Sequence, residues 1–221
     1  MEIIQKKDFI EVEYTGIIND NNTVFDTTNA DTAKLHNLPK NASYGPAIIC
    51  VGEHQILKGL DHHLENKEVG KEHQFEIKAQ DAFGMKDSKL LKLIPGRKFH
   101  EQKVQPIPGL QIDIDGMQGT IKTVSGGRVL VDFNHPLAGK DLKYTVKVNK
   151  KITDTQQQLD SALKAMFGLP QITTEITEKK ATITMPFDIP ADAQAELQKK
   201  LTGMISGIEQ ISFAILKGGK K

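Results

Sequence analysis

The residue types best suited to chemistry in this chain of 221 residues are seven histidines and one cysteine. His62 and His63 are adjacent, so on a helix their side chains diverge by about 100° and do not face one ion. Asp61 and Glu65 have i, i+4 spacing, which is more typical of a solvated helix face than of a metal site. The sequence has no CxxC and no HExxH motif. We therefore predict no metal site and no cofactor.

Covalent catalysis and phosphate binding have equally little support. Cys50 lies within the apolar run 46–51, which favours a buried thiol over a nucleophile. The glycines of segment 116–127 have the spacing of turns, and none of them is followed directly by Lys-Ser or Lys-Thr as it would be in a phosphate-binding loop. The residue types that usually perform covalent chemistry thus predict no reaction here.

One group of residues combines aromatic rings with a carboxylate. Aromatic residues make up only 5% of the chain, so a place where several converge is informative. Asp26 directly follows Phe25, and an acid among rings needs a hydrogen-bonding partner if it is buried. The group fits either an ordinary hydrophobic core or a binding pocket. Its members are Tyr14, Phe25, Asp26, Ile56, Leu57, Leu60, Phe83 and Tyr144.

Antiparallel α+β structure is predicted for the elements that carry this group. Alternation of apolar and polar residues indicates strands, and apolar residues at helical spacing indicate one short helix. Strands are predicted around 9–14, 24–26, 46–51, 75–77 and 142–148, and the helix over 56–64. We assign residues 1–85 and 136–152 to this discontinuous domain.

A β-rich insert interrupts that domain. Segment 86–135 contains glycine-punctuated turns and a hairpin, 120–133, that turns at 125–127. It carries eight basic and five acidic residues, a net charge of +3. Because a strand of the first domain returns after this segment, we predict an insertion within a loop.

The last part of the chain, 153–221, predicts a further domain. Helical spacing, a hairpin, a second helix and a final apolar strand follow one another in the order αββαβ. We expect a small separate α+β domain.

Several linked motifs resemble those of the FKBP-type peptidyl-prolyl isomerases. They are VEYTG at 12–16, VFDTT at 24–28, VGEHQILKGL at 51–60 and DAFG at 81–84. The run VDFNHPLAGKDL at 131–142 resembles the exit from the insert-in-flap domain of SlyD-like members. With its C-terminal segment, the chain resembles an archaeal long-type FKBP.

The resemblance implies an antiparallel sheet wrapped around a short helix, with an apolar prolyl pocket between them. It implies that the backbone N–H of Leu57 holds a substrate carbonyl and that Asp26 orients the hydroxyl of Tyr14. Leu60 stands where many members carry tryptophan. By position, the pocket residues are Tyr14, Phe25, Asp26, Ile56, Leu57, Leu60, Phe83, Leu137 and Tyr144.

The resemblance further implies that the insert is a chaperone module, whose exposed sheet edge takes up unfolded chain by strand addition. The partners would be unfolded or partly folded polypeptides that contain proline, with no membrane and no specific nucleic acid. A cytoplasmic location is expected from the residues themselves, because the single cysteine cannot form an intramolecular disulfide and the sequence shows neither a signal-peptide core nor an apolar run long enough to span a bilayer. The C-terminal domain would mediate a homodimer or hold client protein. The apolar insert residues expected to bind clients are Leu93, Ile94, Phe99, Val104, Leu110, Met117 and Ile121.

Two alternatives to a chaperone-assisted isomerase remain open. The first is a holdase with little isomerase activity, because Phe83 replaces a frequent tyrosine and Ala47 a larger wall residue. The second is a ribosome- or RNA-associated factor that uses the net charge of +3 on the insert.

Overall fold

A computed structural model describes residues 2–40, 42 and 44–216 as two compact units. One unit combines Met1–Ile77 with Leu142–Lys221, and the other is Lys78–Asp141. The strands are β1 (Phe9–Ile18), β2 (Thr23–Thr27), β3 (Ala47–Cys50), β4 (Glu72–Ile77), β5 (Leu91–Pro95), β6 (Gln111–Ile114), β7 (Met117–Ser125), β8 (Arg128–Asp132), β9 (Leu142–Lys151), β10 (Thr173–Thr177), β11 (Lys180–Met185) and β12 (Gln210–Ile215). The helices are α1 (Ala30–Leu35), α2 (Lys58–Leu64), α3 (Gly96–Glu101), α4 (Thr155–Phe167) and α5 (Ala191–Met204).

The first unit is built on an antiparallel sheet in the order β2-β1-β9-β4, with β3 also paired to β1. The alternation of apolar and polar residues predicts strand β1 correctly, since Ile10 and Val12 are buried on one face of this strand. The antiparallel α+β fold predicted from sequence is confirmed. Helix α2 begins at Lys58, two residues later than predicted.

Helix α1 was not predicted, because it lacks an apolar stripe. Only Ala33 is buried among its residues. Its sequence signal is the N-cap, where the side chain of Asn29 accepts a hydrogen bond from the backbone N–H of Thr32 at 2.8 Å. Capping rather than hydrophobic burial therefore defines this helix.

The second unit contains a sheet in the order β5-β8-β7-β6. It extends beyond the predicted insert 86–135 because hydrogen bonds join its two flanking segments. The backbone N–H of Ala79 donates to the carboxylate of Asp141 at 2.9 Å, and the N–H of Gly139 donates to the carbonyl of Gly84 at 2.8 Å.

The C-terminal segment has the predicted element order αββαβ. Strands β10 and β11 pair antiparallel, and β11 pairs parallel with β12. We expected a separate domain, but its hydrophobic core is continuous with that of the first sheet. Phe9, Cys50 and Ile152 belong to the same buried cluster as Leu159 and Leu201.

Among the described residues, no helix is long and apolar enough to cross a membrane.

Candidate active site

Three aromatic rings meet on one face of the first sheet. Tyr14 lies on β1, Phe25 on β2 and Tyr144 on β9. The ring centroids of Tyr14 and Tyr144 are 5.9 Å apart at 61°, and those of Phe25 and Tyr144 are 5.8 Å apart at 88°. Both pairs have the edge-to-face geometry that aromatic quadrupoles favour.

A β-bulge explains how two neighbouring residues of β2 reach the same cluster. Successive side chains of a regular strand point to opposite faces. In the pairing of β1 with β2, Gly16 is opposite Asp26 and Ile17 is opposite Val24, so Phe25 is the extra residue. The bulge redirects the strand locally, which lets the ring of Phe25 and the carboxylate of Asp26 both contact the tyrosines.

Gly16 makes room for these rings. It pairs with Tyr144 on β9 as well as with Asp26 on β2. A Cβ atom at position 16 would lie 2.8 Å from Cε1 of Tyr144 and 2.9 Å from Cζ of Phe25. The sequence analysis did not single out this residue, although a glycine inside a strand is a signal for a close approach.

The single carboxylate of the cluster is hydrogen-bonded to a phenol. The hydroxyl of Tyr14 donates to Asp26. Burial raises the pKa of Asp26, although hydrogen bonds from Tyr14 and from the backbone of Thr27 act in the opposite direction. Burial and the charge of Asp26 raise the pKa of Tyr14 to about 12. Tyr14 therefore keeps its proton at neutral pH.

Burial also dominates the environment of Tyr144. It raises the pKa of this phenol, and the nearby charge of Asp26 adds to the effect. Only 2% of the residue is exposed, so any substrate would contact a small part of the ring.

Thr27, the last residue of β2, and Thr28, which follows it, fix the backbone of Tyr14. Thr28 accepts a hydrogen bond from the N–H of Tyr14 through its hydroxyl oxygen at 2.9 Å. The carbonyl of Tyr14 accepts from the hydroxyl of Thr27 at 3.0 Å and from the N–H of Thr28 at 2.9 Å. These threonines belong to the VFDTT motif, and their positioning of Tyr14 was not predicted.

The remaining predicted residues of the first unit lie at the start of α2. Ile56 and Leu57 are partly exposed, and Leu57 is the N-cap of the helix. Leu60 is 1% exposed and belongs to the core. Leu60 therefore lies beneath the protein surface and not on it.

Asp61 differs from the sequence expectation. It was expected on a solvated helix face with Glu65, but it is 1% exposed. Its carboxylate accepts hydrogen bonds from the backbone of Gly52 and His54, which lie in the loop before the helix. Helical spacing reports only on the helix itself and gave no indication of these loop donors.

The adjacent histidines have different partners, and the cysteine is buried. Nδ1 of His63 lies 2.6 Å from the carbonyl oxygen of Gly59, whereas the ring of His62 packs against that of His54 at 5.5 Å. Burial raises the pKa of the Cys50 thiol to about 12, and the prediction that this thiol is buried is confirmed. In the described part of the chain, no group of three or more His, Cys, Asp or Glu residues could hold a metal ion.

Two predicted pocket residues, Phe83 and Leu137, lie in the second unit. The ring of Phe83 stacks on that of His135, with centroids 4.5 Å apart and planes 4° apart. The backbone N–H of Leu137 donates to Nδ1 of His135 at 3.2 Å. The participation of Phe83 and Leu137 in a prolyl pocket stays a prediction.

The insert residues predicted to bind clients fall into three groups, which are exposed, buried and partly buried. Leu93 and Met117 are exposed, at 62% and 40%. Phe99 and Ile121 are instead 3% and 0% exposed, because with Val129 and Val131 they form the core of this unit. They are therefore core residues here and not available to a client. The others, partly buried against this core, are Ile94, Val104 and Leu110.

Comparison with known proteins agrees with this architecture. Residues 92–137 match the family model described as "FKBP26, IF domain". The chain is 32% identical over 150 residues to the short-type peptidyl-prolyl cis-trans isomerase of Methanocaldococcus jannaschii, covering 67% of this chain and 94% of that protein.

Two bacterial proteins are also similar. The FKBP-type peptidyl-prolyl cis-trans isomerase SlyD of Helicobacter pylori is 33% identical over 114 residues, which cover 50% of this chain and 62% of that protein. The FKBP-type 16 kDa peptidyl-prolyl cis-trans isomerase of Escherichia coli is 27% identical over 168 residues, which cover 74% of this chain and 99% of that protein. The chain belongs to the FKBP-type peptidyl-prolyl isomerase family.

The packing around Gly16 leads to a testable prediction. Gly16→Ala adds a methyl group where the rings of Phe25 and Tyr144 already lie within 3 Å. One ring must move, so isomerase activity on a proline peptide should fall about tenfold or more, a loss of ~1.4 kcal/mol of transition-state stabilisation. Gly203→Ala is the matched control, because a Cβ there meets no atom within 4 Å.

Far-UV circular dichroism establishes that both variants are folded. Full activity in a folded Gly16→Ala protein would contradict the view that ring placement matters.

Proposed function

We propose that this chain catalyses cis-trans isomerisation of X-Pro bonds in unfolded polypeptides and assists their folding through its insert. The observation that carries the proposal is the cluster of Tyr14, Phe25 and Tyr144 around the carboxylate of Asp26. It is supported by membership of a family whose relatives are named peptidyl-prolyl isomerases.

The cluster suits a reaction that makes and breaks no bond between heavy atoms. Rotation about a peptide bond crosses a barrier of ~18–20 kcal/mol because it interrupts amide resonance. Proline is the residue at which both isomers are accessible. The twisted amide is less dipolar than the planar one, so a desolvated apolar surface favours it. Only such differential stabilisation accelerates the step.

The polar groups then have orienting roles. The backbone N–H of Leu57 binds a carbonyl of the substrate, which leaves the prolyl ring against the aromatic side chains. Asp26 accepts from the hydroxyl of Tyr14, which keeps the phenol ring fixed. No proton is transferred to Asp26 in this mechanism.

Asp26→Asn tests the role of the carboxylate. The amide keeps the size of the side chain but removes the charge that the Tyr14 hydroxyl binds, so Tyr14 becomes less fixed. We expect kcat/KM for a proline tetrapeptide to fall about tenfold, or ~1.4 kcal/mol. Phe25→Ala should cause a comparable loss, because it removes the edge contact with Tyr144.

The control is Asp31→Asn, the same change at an exposed position in the first turn of α1. Wild-type activity in folded Asp26→Asn and Phe25→Ala proteins would reject this site.

The insert supplies a surface for extended chain. In the described part of the second unit β5 is a sheet edge, paired with β8 on one side. Leu91 and Leu93 on this strand are 40% and 62% exposed. An unfolded segment that adds to this edge gains backbone hydrogen bonds nearly regardless of its sequence and apolar contacts from these side chains. Such capture raises the local concentration of prolyl bonds near the catalytic domain.

Leu93→Asp tests this surface. A charge at the edge strand opposes addition of an apolar segment, so suppression of client aggregation and catalysis of a proline-limited refolding reaction should both fall several-fold. Activity on a bare tetrapeptide should stay unchanged, since a short substrate does not need the insert.

Val124→Asp is the matched control, because Val124 is also exposed, at 42%, but lies on β7, where it pairs with Val129 of β8, and not on the β5 edge. Equal losses in both variants would contradict capture at the β5 edge, and no loss in Leu93→Asp would remove this strand from client binding.

We further propose a homodimer, an association with the ribosome, a subfamily and a cellular location for this chain. A homodimer through the C-terminal segment is supported by the edge position of β12 and by the exposure of Ile215, at 56%. Association with the ribosome is supported by the net charge of +3 on segment 86–135. Assignment to the archaeal long-type FKBPs rests on the sequence resemblance, and assignment to the cytoplasm is supported by the single cysteine, which cannot form an intramolecular disulfide.

A further inference from the structure

Asp61 is a buried acid to which the proposed mechanism gives no task. It lies in the first turn of α2 and is 1% exposed. Removing a carboxylate from water costs free energy unless hydrogen bonds compensate the lost solvation. The donors that surround Asp61 therefore indicate what the residue does.

Those donors all come from the short loop that precedes the helix. The backbone N–H of Gly52 lies 2.9 and 3.1 Å from the two carboxylate oxygens of Asp61, and the N–H of His54 lies 2.9 Å from Oδ2. Nδ1 of the His54 ring is 3.2 Å from the same oxygen. One side chain thus contacts two backbone donors and one ring, all from Gly52 and His54.

The loop needs this support because the backbone of one of its residues, His54, has a conformation that is unfavourable for residues other than glycine. Gly52 has φ +88° and His54 has φ +55°, both in the left-handed region. That region is sparsely populated by residues other than glycine, so His54 persists there only if its surroundings hold it.

The same residue also fixes the far end of the segment. The backbone N–H of Asp61 donates to the carbonyl of Leu57 at 2.9 Å, which closes the first turn of α2. Leu57 is the N-cap and has no capping side-chain hydrogen bond of its own. Between the two ends, the amide oxygen of Gln55 accepts from the N–H of Cys50 at 2.7 Å. Asp61 therefore contacts both ends of segment 52–57. Its carboxylate binds the backbone of Gly52, and its own backbone N–H binds the carbonyl of Leu57.

We propose that Asp61 is a positioning residue for substrate binding, which acts by fixing the loop that presents Ile56 and the backbone N–H of Leu57. It does not touch the substrate. The inference rests on the proposed function, because the role of Leu57 as a donor belongs to that proposal. It adds that the geometry of this donor depends on a buried carboxylate four residues further along the helix.

Asp61→Asn is the direct test. Asparagine keeps the size of the side chain but replaces one acceptor oxygen by an NH₂ group, which cannot accept from Gly52 or His54. The loop loses part of its support, so KM for a proline tetrapeptide should rise about tenfold, or ~1.4 kcal/mol, with a smaller change in kcat. His54→Gln removes the ring, which contacts Asp61 and His62, but keeps both backbone donors, so it should raise KM less.

A structural readout separates positioning from general destabilisation. The ¹H–¹⁵N resonance of Leu57 should shift when a proline peptide is added to the wild-type chain, and this shift should be reduced in Asp61→Asn. Glu65→Gln is the control, since Glu65 is the C-cap residue, at the opposite end of the same helix from Leu57. Its KM and its Leu57 shift should match those of the wild type.

Each outcome bears on one claim. Raised KM together with a reduced Leu57 shift, in a variant that keeps its circular dichroism and its client capture, supports the inference. A wild-type KM, or a raised KM with an unchanged Leu57 shift, overturns it. If Asp61→Asn does not fold, His54→Gln decides by the same two measurements. Inactivity of the wild-type chain would instead count against the proposed function.

Discussion

The site depends on the β-bulge at Phe25. A regular β2 would direct Phe25 and Asp26 to opposite faces of the sheet, and either the ring or the carboxylate would be lost to the site. The bulge brings both to the face of β1 and β9 that carries the two tyrosines. Gly16 is the complementary requirement, because any side chain there would occupy the space of the rings. One backbone irregularity and one missing side chain thus create the cluster.

The consequence of this packing is an acid held among rings by hydrogen bonds. Burial raises the pKa of Asp26 and of Tyr14, and their mutual hydrogen bond keeps the phenol protonated at neutral pH. Such a pair is poorly suited to shuttling protons and well suited to fixing the shape of a surface. For bond rotation, in which the transition state differs from the ground state mainly in twist and polarity, shape and desolvation are the relevant properties.

Residues with periodic burial were predictable, and those with contacts distant in sequence were not. Alternation placed Tyr14 and Tyr144 each on the apolar face of its own strand, and the αββαβ order followed from spacing and turn signals. The bulge left no trace in the sequence, because register depends on the partner strand. Asp61 was misplaced for the same reason, since its donors lie in a loop whose path no helical pattern reveals.

The continuity of the core was a further feature beyond the reach of sequence patterns. The spacing of Leu159, Leu163 and Phe167 predicted a helix, but not that Phe9 and Cys50 of the first sheet would belong to the same core. In the insert, the apolar residues that were all predicted to bind clients likewise differ in their exposure. Phe99 and Ile121 form its core, whereas Leu93 remains on the surface.

The central claim is that the aromatic cluster accelerates bond rotation without proton transfer. Exchange NMR on a proline peptide with a catalytic amount of the full chain measures that rotation directly, in H₂O and in D₂O. The account predicts cis–trans exchange cross-peaks that appear only with the protein, at a rate that is the same in both solvents. No exchange, or a rate that falls several-fold in D₂O, would contradict it.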